Sequence, residues 1–296
     1  MKICVVGSIN MDLVAVTDYR PAQGETVLGK DFIVNPGGKG ANQAVSVARL
    51  GAEVFMLGCV GNDHYGINSI ENFNNEKVNT EYIKRTDTNN TGIAHIVLAN
   101  NDNSIIVIPG ANNEVNEDYI DSVTHIISDS DIVLTQLEIP MDTVLYLSRI
   151  CKKHNVPFLL NPAPAVCLPQ EIIDNSTYIT PNESEVKIIF QNEKNTDKLL
   201  RDYPNKLIVT LGDKGVVFCD GEKIVNIPSI KVPVVDTTGA GDTFNGSLAW
   251  AICKGMEIKS AIEFANIAAG LSITKIGAQK GMPTLKEVQE KWNGPL

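Results

Sequence analysis

The residues best suited to chemistry in this sequence lie in a short Gly-rich stretch, Gly239-Ala240-Gly241-Asp242. A β-branched, strand-like run at 230–235 comes just before it, and an apolar stripe at helical spacing follows at 244–252. A strand-to-helix turn of this kind leaves backbone N–H groups free at the positive end of a helix, where they bind anions such as phosphate. The stretch therefore predicts an anion site.

Asp242 is the most specific residue of this stretch because it places a carboxylate inside the anion site. A carboxylate repels phosphate, so a loop that only bound phosphate would gain nothing from it. A general base that takes the proton from an attacking hydroxyl belongs at such a position. The pattern predicts phosphoryl transfer to an alcohol, with the N–H groups around Gly239, Ala240 and Gly241 holding the charge of the transferred group.

Asn10 and Asp12 could bind the hydroxyl groups of that alcohol. They follow the first apolar run, and open α/β sheets bind ligands beyond the carboxyl ends of their strands. Asp accepts hydrogen bonds and Asn both donates and accepts them, so the pair could hold vicinal hydroxyls. Residues of these types also commonly close a strand in an Asx turn, and the two interpretations are about equally supported here.

A second polar segment, residues 37–44, opens with three glycines among four residues. Glycines let the backbone approach a sugar closely, and Asn42 adds a side chain that donates and accepts hydrogen bonds. The alternative is a Gly-rich hinge before a helix, with Lys39 simply solvated. For Lys39 considered alone, the solvated side chain is favoured.

Apolar runs and helical stripes must position these residues, and they alternate along most of the chain. Alternation of this kind predicts an α/β fold with a mostly parallel central sheet covered by helices on both faces. Strands are predicted at 2–6, 54–60, 132–136, 158–161, 178–180 and 207–211, helices at 41–50, 114–127, 141–154 and 183–190, a helix opened by Asp63, and a β-ribbon at 216–219 and 224–227.

Two β-rich insertions, near 13–35 and 91–109, interrupt the alternation. Short β-type pieces at 13–16, 26–28 and 32–34, and a hairpin turning at Asn100-Asn101-Asp102-Asn103, predict one small sheet that acts as a lid on a single domain spanning 1–296. An apolar face on so small a sheet needs cover, which predicts a homodimer.

Composition narrows the class of protein. With 296 residues, 43% hydrophobic and 20% charged, the chain is typical of one large α/β domain. A net charge of −10 disfavours nucleic acid and anionic membranes as partners. The six cysteines form no C-x-x-C pair, which favours reduced thiols, and with no signal peptide or long apolar run we expect a cytoplasmic protein.

Other nucleotide-binding motifs are missing from the sequence. It contains no P-loop, no G-x-G-x-x-G after the first strand and no protein-kinase signature set.

The whole set of motifs resembles the ribokinase-like carbohydrate kinase family, and the resemblance runs from about residue 2 to residue 284. Agreement on this many ordered segments is far more specific than one Gly-rich loop. The segments are GSINMD at 7–12, GGKGANQA at 37–44, QLE at 136–138, NPAP at 161–164, TPNE at 180–183, TLGDKG at 210–215 and DTTGAGDTFNG at 236–246.

This resemblance implies a set of binding residues. Unaided by it, Glu138 would pass for an ordinary helix-opening acid, Asn182 for a helix N-cap and Asn266 for a solvated helix residue. The implied sugar contacts are Asn10, Met11, Asp12, Gly38, Lys39, Gly40, Ala41, Asn42, Glu138 and Asp242. The implied nucleotide contacts are Asn182, Thr210, Leu211, Gly212, Asp213, Lys214, Gly215, Gly241, Asp242 and Asn266, with Asn182 at the phosphates or their Mg²⁺ shell.

The resemblance also implies a monovalent cation site beside the anion site. Asp236 and Thr238 match its first part, and carbonyl ligands are expected at Ser272, Lys275 and Gly277. The sequence departs from the family pattern at Gly281, where a Ser side chain is usual, so a carbonyl or a water would have to replace that ligand. The alternative is that Asp236 merely caps the turn.

Together the motifs imply ATP-dependent phosphorylation of D-ribose at its 5-hydroxyl, with Mg²⁺ on the nucleotide and K⁺ as activator. Kinases of deoxyribose, of a nucleoside or of a ketose are alternatives in the same class. A non-catalytic sugar-binding protein on the same fold is an alternative of another class, but it would leave Asp242 without a use.

Overall fold

The computed structural model describes residues 1–100, 102–191, 193 and 195–294. In this part of the chain strands and helices alternate, as the sequence predicts. The strands are β1 (Lys2–Val6), β2 (Asn10–Val16), β3 (Asp31–Gly37), β4 (Glu53–Leu57), β5 (Cys59–Gly61), β6 (Lys84–Thr86), β7 (Gly92–Ala99), β8 (Asp102–Ile108), β9 (Ile132–Thr135), β10 (Phe158–Leu160), β11 (Tyr178–Ile179), β12 (Ile208–Thr210), β13 (Val216–Cys219) and β14 (Ile224–Ile227).

No helix in the described part of the chain is long and apolar enough to cross a lipid bilayer. The helices are α1 (Lys39–Arg49), α2 (His64–Asn75), α3 (Glu117–Ser128), α4 (Met141–His154), α5 (Gln170–Asn175), α6 (Glu183–Ile189), α7 (Thr196–Asp202), α8 (Ala240–Cys253), α9 (Ile258–Ser272), α10 (Ala278–Gly281) and α11 (Leu285–Gln289), with 3-10 turns at Gly110–Glu114 and Gly212–Lys214.

The central sheet contains five parallel strands in the order β11-β10-β9-β1-β4. Parallel bridges from Ile179 to Leu207 and from Asn182 to Thr210 join its β11 edge to β12, which begins an antiparallel sheet with β13 and β14. The carboxyl ends of the parallel strands meet at one edge, so the loops that follow them converge there.

Both faces of the central sheet are buried under helices. Alternate residues of β1 point in opposite directions, so Ile3 and Val5 join one apolar core while Cys4 and Val6 join the other. The first core includes side chains from α1, α8 and α9, and the second includes side chains from α3, α4 and α5. The predicted fold class is confirmed.

The small sheet is built from the two interrupting segments, in the order β3-β2-β7-β8. The β2–β3 and β7–β8 pairs are antiparallel and the β2–β7 pair is parallel. Of the predicted hairpin turn, Asn101 lies outside the described residues. The strand predicted at 26–28 is wrong: the segment is irregular, and β2 already pairs along both edges, with β3 on one side and β7 on the other.

Two further strand predictions need correction. The run at 54–60 is two strands, β4 and β5, separated at Gly58. Residues 230–235 form no strand at all. This segment is tied to α9 instead, because Asn266 Nδ2 donates to the Pro228 carbonyl at 2.7 Å and Val235 N donates to the Ile273 carbonyl at 2.8 Å. Pro228 and Pro233 also lack the N–H groups that a sheet ladder requires.

Candidate active site

The candidate anion site lies at the first turn of α8. Gly239 is the N-cap in a left-handed conformation (φ 77°), and a Cβ there would lie 2.8 Å from Ala278 Cβ, so glycine is required. The first helical hydrogen bond joins Thr243 N to the Gly239 carbonyl at 2.8 Å. The N–H groups of Gly241 and Asp242 precede that bond, and exposed Gly241 has open space beside its Cα. Ala240 begins the helix.

Asp242 lies in this turn with its side chain buried, at 7% exposure. Its two carboxylate oxygens accept hydrogen bonds from different amides: Asn42 Nδ2 donates to Oδ2 at 2.9 Å and Gln43 Nε2 to Oδ1 at 3.1 Å. Burial raises the pKa of the Asp242 carboxyl, although nearby Lys39 and the two amide donors act in the opposite direction. A carboxyl held this way is fixed in place and has an increased affinity for a proton, as a general base requires.

Gln43 connects Asp242 to the central sheet. Its Nε2 also donates to Asn161 Oδ1 at 3.1 Å, and its Oε1 accepts from Gln136 Nε2 at 2.6 Å. Gln136 follows β9 and Asn161 follows β10. Residues at two neighbouring strand ends therefore hold the Gln43 amide, which in turn donates to Asp242. Sequence reasoning did not identify Gln43 as a site residue, although the segment GGKGANQA contains Gln43 and the segment NPAP contains Asn161.

Asn10 and Asp12 lie in β2 rather than in a turn, paired with Gly37 and Asn35 on β3. The Asx-turn alternative is therefore wrong. Asn10 Oδ1 accepts from Asn112 Nδ2 at 2.7 Å, and Asn112 is a second residue that sequence reasoning missed. A Cβ at Gly37 would lie 2.3 Å from Asp12 Oδ1, so the Asp12 carboxylate rests directly on the glycine backbone.

Glu138, in the loop after β9, fastens the start of α1. Its Oε2 accepts from Ser8 Oγ at 2.5 Å and from Lys39 N at 3.0 Å, and Ser8 Oγ in turn accepts from Gly40 N at 3.2 Å. Glu138 is therefore not merely a helix-opening acid. The Gly-rich segment is held rather than hinged, and Met11, Gly38 and Ala41 are buried beside it.

Four charged side chains face one another here, and the pKa values of Asp12 and Lys39 respond to these charges. Burial and then the charges of Glu138 and Asp242 raise the pKa of Asp12 to about 6, against the opposing charge of Lys39. Burial lowers the pKa of Lys39, but the carboxylates around it, led by Asp242, outweigh burial and leave its pKa raised. Lys39 is half-buried, so it is not simply solvated.

The residues predicted to bind nucleotide lie at the ends of β11 and β12. Asn182 Oδ1 accepts from Ser184 N and Glu185 N, both at 2.9 Å, so it does cap α6, and its side chain is exposed. Thr180, two residues earlier, donates from Oγ1 to Asn245 Oδ1 on α8 at 2.5 Å. This contact places the strand end beside the helix that carries Asp242.

The turn after β12 presents an exposed backbone surface. Thr210 ends the strand, and Leu211 leads into the 3-10 turn of exposed Gly212, Asp213 and Lys214, closed by Gly215. Asn266 is buried at 7% exposure and uses its Nδ2 to hold the Pro228 carbonyl, so the solvated alternative for it is wrong.

Asp236 organises the segment before the anion turn. Its Oδ1 accepts from Thr238 N at 2.9 Å and Thr238 Oγ1 at 2.6 Å, and its Oδ2 accepts from Gly277 N at 2.8 Å. These hydrogen bonds outweigh burial and hold the pKa of Asp236 below its usual value. A Cβ at Gly281 would lie 2.5 Å from the Ser272 carbonyl oxygen and 3.6 Å from that of Lys275, so the two oxygens converge at this point.

No group of three or more His, Cys, Asp or Glu residues suited to a metal ion occurs in the described part of the chain.

The model of the pfkB family of carbohydrate kinases matches residues 1–285. Ribokinase of Bacillus subtilis is 51% identical over 289 residues, which cover 98% of this chain and 98% of that protein. The crystal structure of ribokinase from Thermotoga maritima matches with a TM-score of 0.89 at 38% identity, covering 97% of this chain and 98% of that one. Arabidopsis thaliana ribokinase complexed with ribose and ATP matches with a TM-score of 0.88 at 32% identity, covering 97% of each chain.

Proposed function

The chain belongs to the pfkB family of carbohydrate kinases, and from this premise we propose that it uses ATP to phosphorylate D-ribose at the 5-hydroxyl, giving D-ribose 5-phosphate and ADP. The observation that carries this proposal is the position of Asp242. A buried carboxylate held by two amides lies within the same helical turn as the free N–H groups of an anion site. This arrangement suits proton removal and phosphoryl stabilisation at one point.

Asp242 takes the proton of the 5-hydroxyl as the new O–P bond forms and the bond from the γ-phosphorus to the ADP oxygen breaks. The N–H groups at Gly239 and Gly241 stabilise charge on the transferring group. The Ala240 N–H, which donates to the Thr237 carbonyl at 3.2 Å, would contribute by sharing that hydrogen bond. Positioning and electrostatics account for most of the rate in this class of reaction.

For the sugar, we propose that Asn10, Asp12 and Asn42 contact hydroxyl groups. Glu138 would also accept from a hydroxyl, because its carboxylate can accept more hydrogen bonds than the two it receives from Ser8 and Lys39. Asn10 and Asp12 lie at the start of β2, which belongs to the small sheet, and Asn42 donates to Asp242, the proposed general base. We also propose backbone contacts to the sugar from Met11 on β2 and from the start of α1, which Glu138 holds. The residues at the start of α1 are its N-cap Gly38 and then Lys39, Gly40 and Ala41.

For the nucleotide, we propose that the phosphates reach from Asp242 and Gly241 toward Asn182, and that the 210–215 turn borders the adenine. Asn182 Oδ1 is committed to capping α6, so a phosphate contact would use its amide nitrogen. Asn266 Nδ2 is committed to Pro228, so a base contact would use its oxygen. Mg²⁺ enters on ATP and keeps mainly water and phosphate ligands, as its reluctance to dehydrate requires.

The test is ADP formation against a panel of D-ribose, 2-deoxyribose, fructose and a purine nucleoside, with the phosphorylated product identified by NMR. We expect D-ribose to give the highest kcat/KM and the product to carry phosphate on C5. A higher kcat/KM for the nucleoside or the ketose would assign the chain to another kinase of the family. No turnover with any alcohol would support a binding protein.

We further propose that K⁺ activates the enzyme from a site bounded by Asp236 and the 272–281 segment. Three hydrogen bonds occupy part of the Asp236 carboxylate, which can still accept further contacts. The Ser272 and Lys275 carbonyls converge beside Gly281, with Thr238 and Gly277 close to Asp236. Oxygen donors of this kind suit a hard cation, and the missing side chain at Gly281 leaves one ligand to a carbonyl or water.

K⁺ should raise kcat/KM several-fold relative to a large organic cation at equal ionic strength, because the ion orders the turn that forms the anion site. Steady-state assays in matched chloride buffers measure this ratio. The Asp236→Asn variant should respond less to K⁺. Identical rates in the two buffers for the unchanged enzyme would show that the segment binds no activating ion.

The small sheet carries the surface that we propose for a homodimer. All of β8 is exposed at the sheet edge, including Ile105 (51% exposed), Ile106 (63%) and Val107 (45%), and Phe32 on β3 is 61% exposed. Edge strands with unpaired backbone groups and apolar side chains pair readily with a second strand. A second copy of the same sheet would bury this surface, so the sheet would serve both as lid and as dimer contact.

Sedimentation at micromolar concentration should therefore give twice the chain mass of 32.1 kDa. Ile106→Lys should shift the population toward the monomer, because it buries a charge in the contact. Ile67→Lys, at a 47% exposed position on α2, is the matched control and should stay dimeric. A monomeric unchanged protein would contradict the proposal.

We place the protein in the cytoplasm, where ATP is available. The cysteines are free thiols and four of the six are buried, which suits a reducing compartment.

A further inference from the structure

Three amide side chains from distant parts of the chain form a line that ends at Asp242. Asn72 Nδ2 on α2 donates to Gln279 Oε1 on α10 at 2.8 Å. Gln279 Nε2 donates to Asn42 Oδ1 on α1 at 3.1 Å, and Asn42 Nδ2 donates to Asp242 Oδ2 at 2.9 Å. Gln279 and Asn42 each accept from the amide before them and donate to the next group in the line.

The direction of this line is determined by its last member. An ionised carboxylate only accepts hydrogen bonds, so Asn42 must turn its nitrogen toward Asp242 and its oxygen away. The Asn42 oxygen then requires a donor, which Gln279 supplies, and the Gln279 oxygen in turn requires a donor, which Asn72 supplies. Turning Gln279 or Asn42 around alone would place two donors against each other at one contact and two acceptors at the other.

We propose that Gln279 and Asn72 are positioning residues for the general base, because they stabilise the orientation in which the Asn42 nitrogen faces Asp242. The inference rests on the proposed role of Asp242 and extends the site to two residues that touch neither substrate nor the base. It gives Asn42 a role in orienting the base in addition to its role at the sugar.

The surroundings make this orientation effective. Gln279 and Asn42 are buried, at 6% and 7% exposure, so water cannot readily replace a lost partner. The backbone around Gln279 is also held, because Arg49 Nη1 donates to the Gln279 carbonyl at 2.6 Å and the Met282 carbonyl at 2.8 Å. Asn72 is only half-buried, so the far end of the line is accessible to a charged substitute.

The proton affinity of Asp242 reports on this orientation. The charged groups that face it are Lys39 on α1, Glu138 after β9 and Asp12 on β2, and Gln43 donates to its other oxygen. The Asn42 hydrogen bond lowers the pKa of Asp242, against the upward effect of burial. Losing or reversing that bond should raise the pH at which the enzyme–substrate complex gains its activity.

The first test is Gln279→Met, which keeps the length of the side chain but removes both amide atoms. At saturating ribose and MgATP, kcat at pH 7 should fall roughly 10-fold, and the acid limb of the kcat profile should move up by about one pH unit, because a charge-assisted hydrogen bond is weakened. A purely structural defect would lower the melting temperature and reduce kcat equally at every pH.

The second test reverses the line from its accessible end. In Asn72→Asp the new carboxylate accepts from Gln279 Nε2, which favours the reversed line, in which the Asn42 oxygen accepts a hydrogen bond from the protonated Asp242 carboxyl. The acid limb of kcat should again move up. Asn75→Asp is the control, because this exposed residue on the same helix adds the same charge outside the line.

An upward shift of the acid limb in Gln279→Met and Asn72→Asp, without one in Asn75→Asp, supports the inference. An unchanged limb in both folded variants would overturn it, as would an equal shift in Asn75→Asp, which would assign the effect to charge at long range. If ribose were not the substrate, the proposed function would fail, but the same profiles could be measured with whichever alcohol the panel assigns.

Discussion

Asp242→Asn should lower kcat for ribose phosphorylation by roughly 10²–10⁴-fold, the usual contribution of a general base. The amide that replaces the carboxylate cannot take the proton of the 5-hydroxyl. The described neighbours with carboxylates, Asp12 and Glu138, are placed elsewhere: Asp12 rests on the Gly37 backbone and Glu138 accepts from Ser8 and Lys39. The anion site remains, so binding of ATP and ribose should persist, and calorimetry measures both.

The same variant should fold normally. An Asn at this position satisfies one of the two amide donors that now meet the carboxylate, and the hydrogen bond lost is offset by removal of a charge whose burial is unfavourable. Asp118→Asn, in the exposed first turn of α3, is the matched control and should keep full activity. A wild-type kcat in Asp242→Asn would contradict the assignment of Asp242 as the general base.

Local patterning predicts much of this fold. Helix α4 (Met141–His154) and the ribbon β13–β14 have the bounds that the sequence predicts, because their apolar spacing and flanking turns are both distinct. The run at 230–235 shows the limit of that reasoning. Its β-branched residues suit a strand, but Pro233 lies within it. Its course is determined instead by hydrogen bonds at its two ends, from Asn266 on α9 to the Pro228 carbonyl and from Val235 N to the Ile273 carbonyl just after α9.

The candidate site divides in the same way. Asp242, the glycines before it and the strand-end polar residues are local signals, since a helix start or a strand end places them. No local signal identifies Gln43, Asn161 and Gln279, because the role of a side-chain amide depends on which partner it contacts in the fold. Gln43 reaches Asp242 from 199 positions away and Gln279 reaches Asn42 from 237 positions away. No spacing rule in one sequence detects such pairs.

Three of the carboxylates around Lys39 have different environments, and this separates their functions. Asp242 is buried and held by amide donors only, which suits proton transfer. Glu138 uses Oε2 to accept from Ser8 Oγ and Lys39 N, which suits an anchor that keeps its other oxygen for the proposed sugar contact. Asp12 is half-buried at the start of the small sheet and has no such fastening among the hydrogen bonds described, which leaves its oxygens to accept from a ligand.

Asp12→Asn should therefore raise the KM for ribose by roughly 10- to 100-fold and leave the KM for ATP nearly unchanged. A carboxylate accepts from two hydroxyls, whereas an amide at this position offers one acceptor and one donor, so one hydroxyl of the sugar loses its partner in a desolvated site. The preference for ribose over 2-deoxyribose, measured as a ratio of kcat/KM, should shrink in the variant if Asp12 reads the 2-hydroxyl with Asn10.

The pH dependence of kcat/KM provides an independent measurement. Since the pKa of Asp12 is raised to about 6, its carboxylate form, which accepts from the sugar, is lost as the pH falls through that value. Ribose kcat/KM should decline there in the unchanged enzyme, and in Asp12→Asn that part of the decline should be absent. Asp18→Asn, at an exposed residue between β2 and β3 that pairs with Lys30, makes the same chemical change away from the site and should alter neither the ratio nor the profile. A pocket that hydrogen-bonds a hydroxyl discriminates against the sugar that lacks this hydroxyl. Equal kcat/KM values for ribose and 2-deoxyribose in the unchanged enzyme would therefore show that Asn10 and Asp12 do not recognise a ribose.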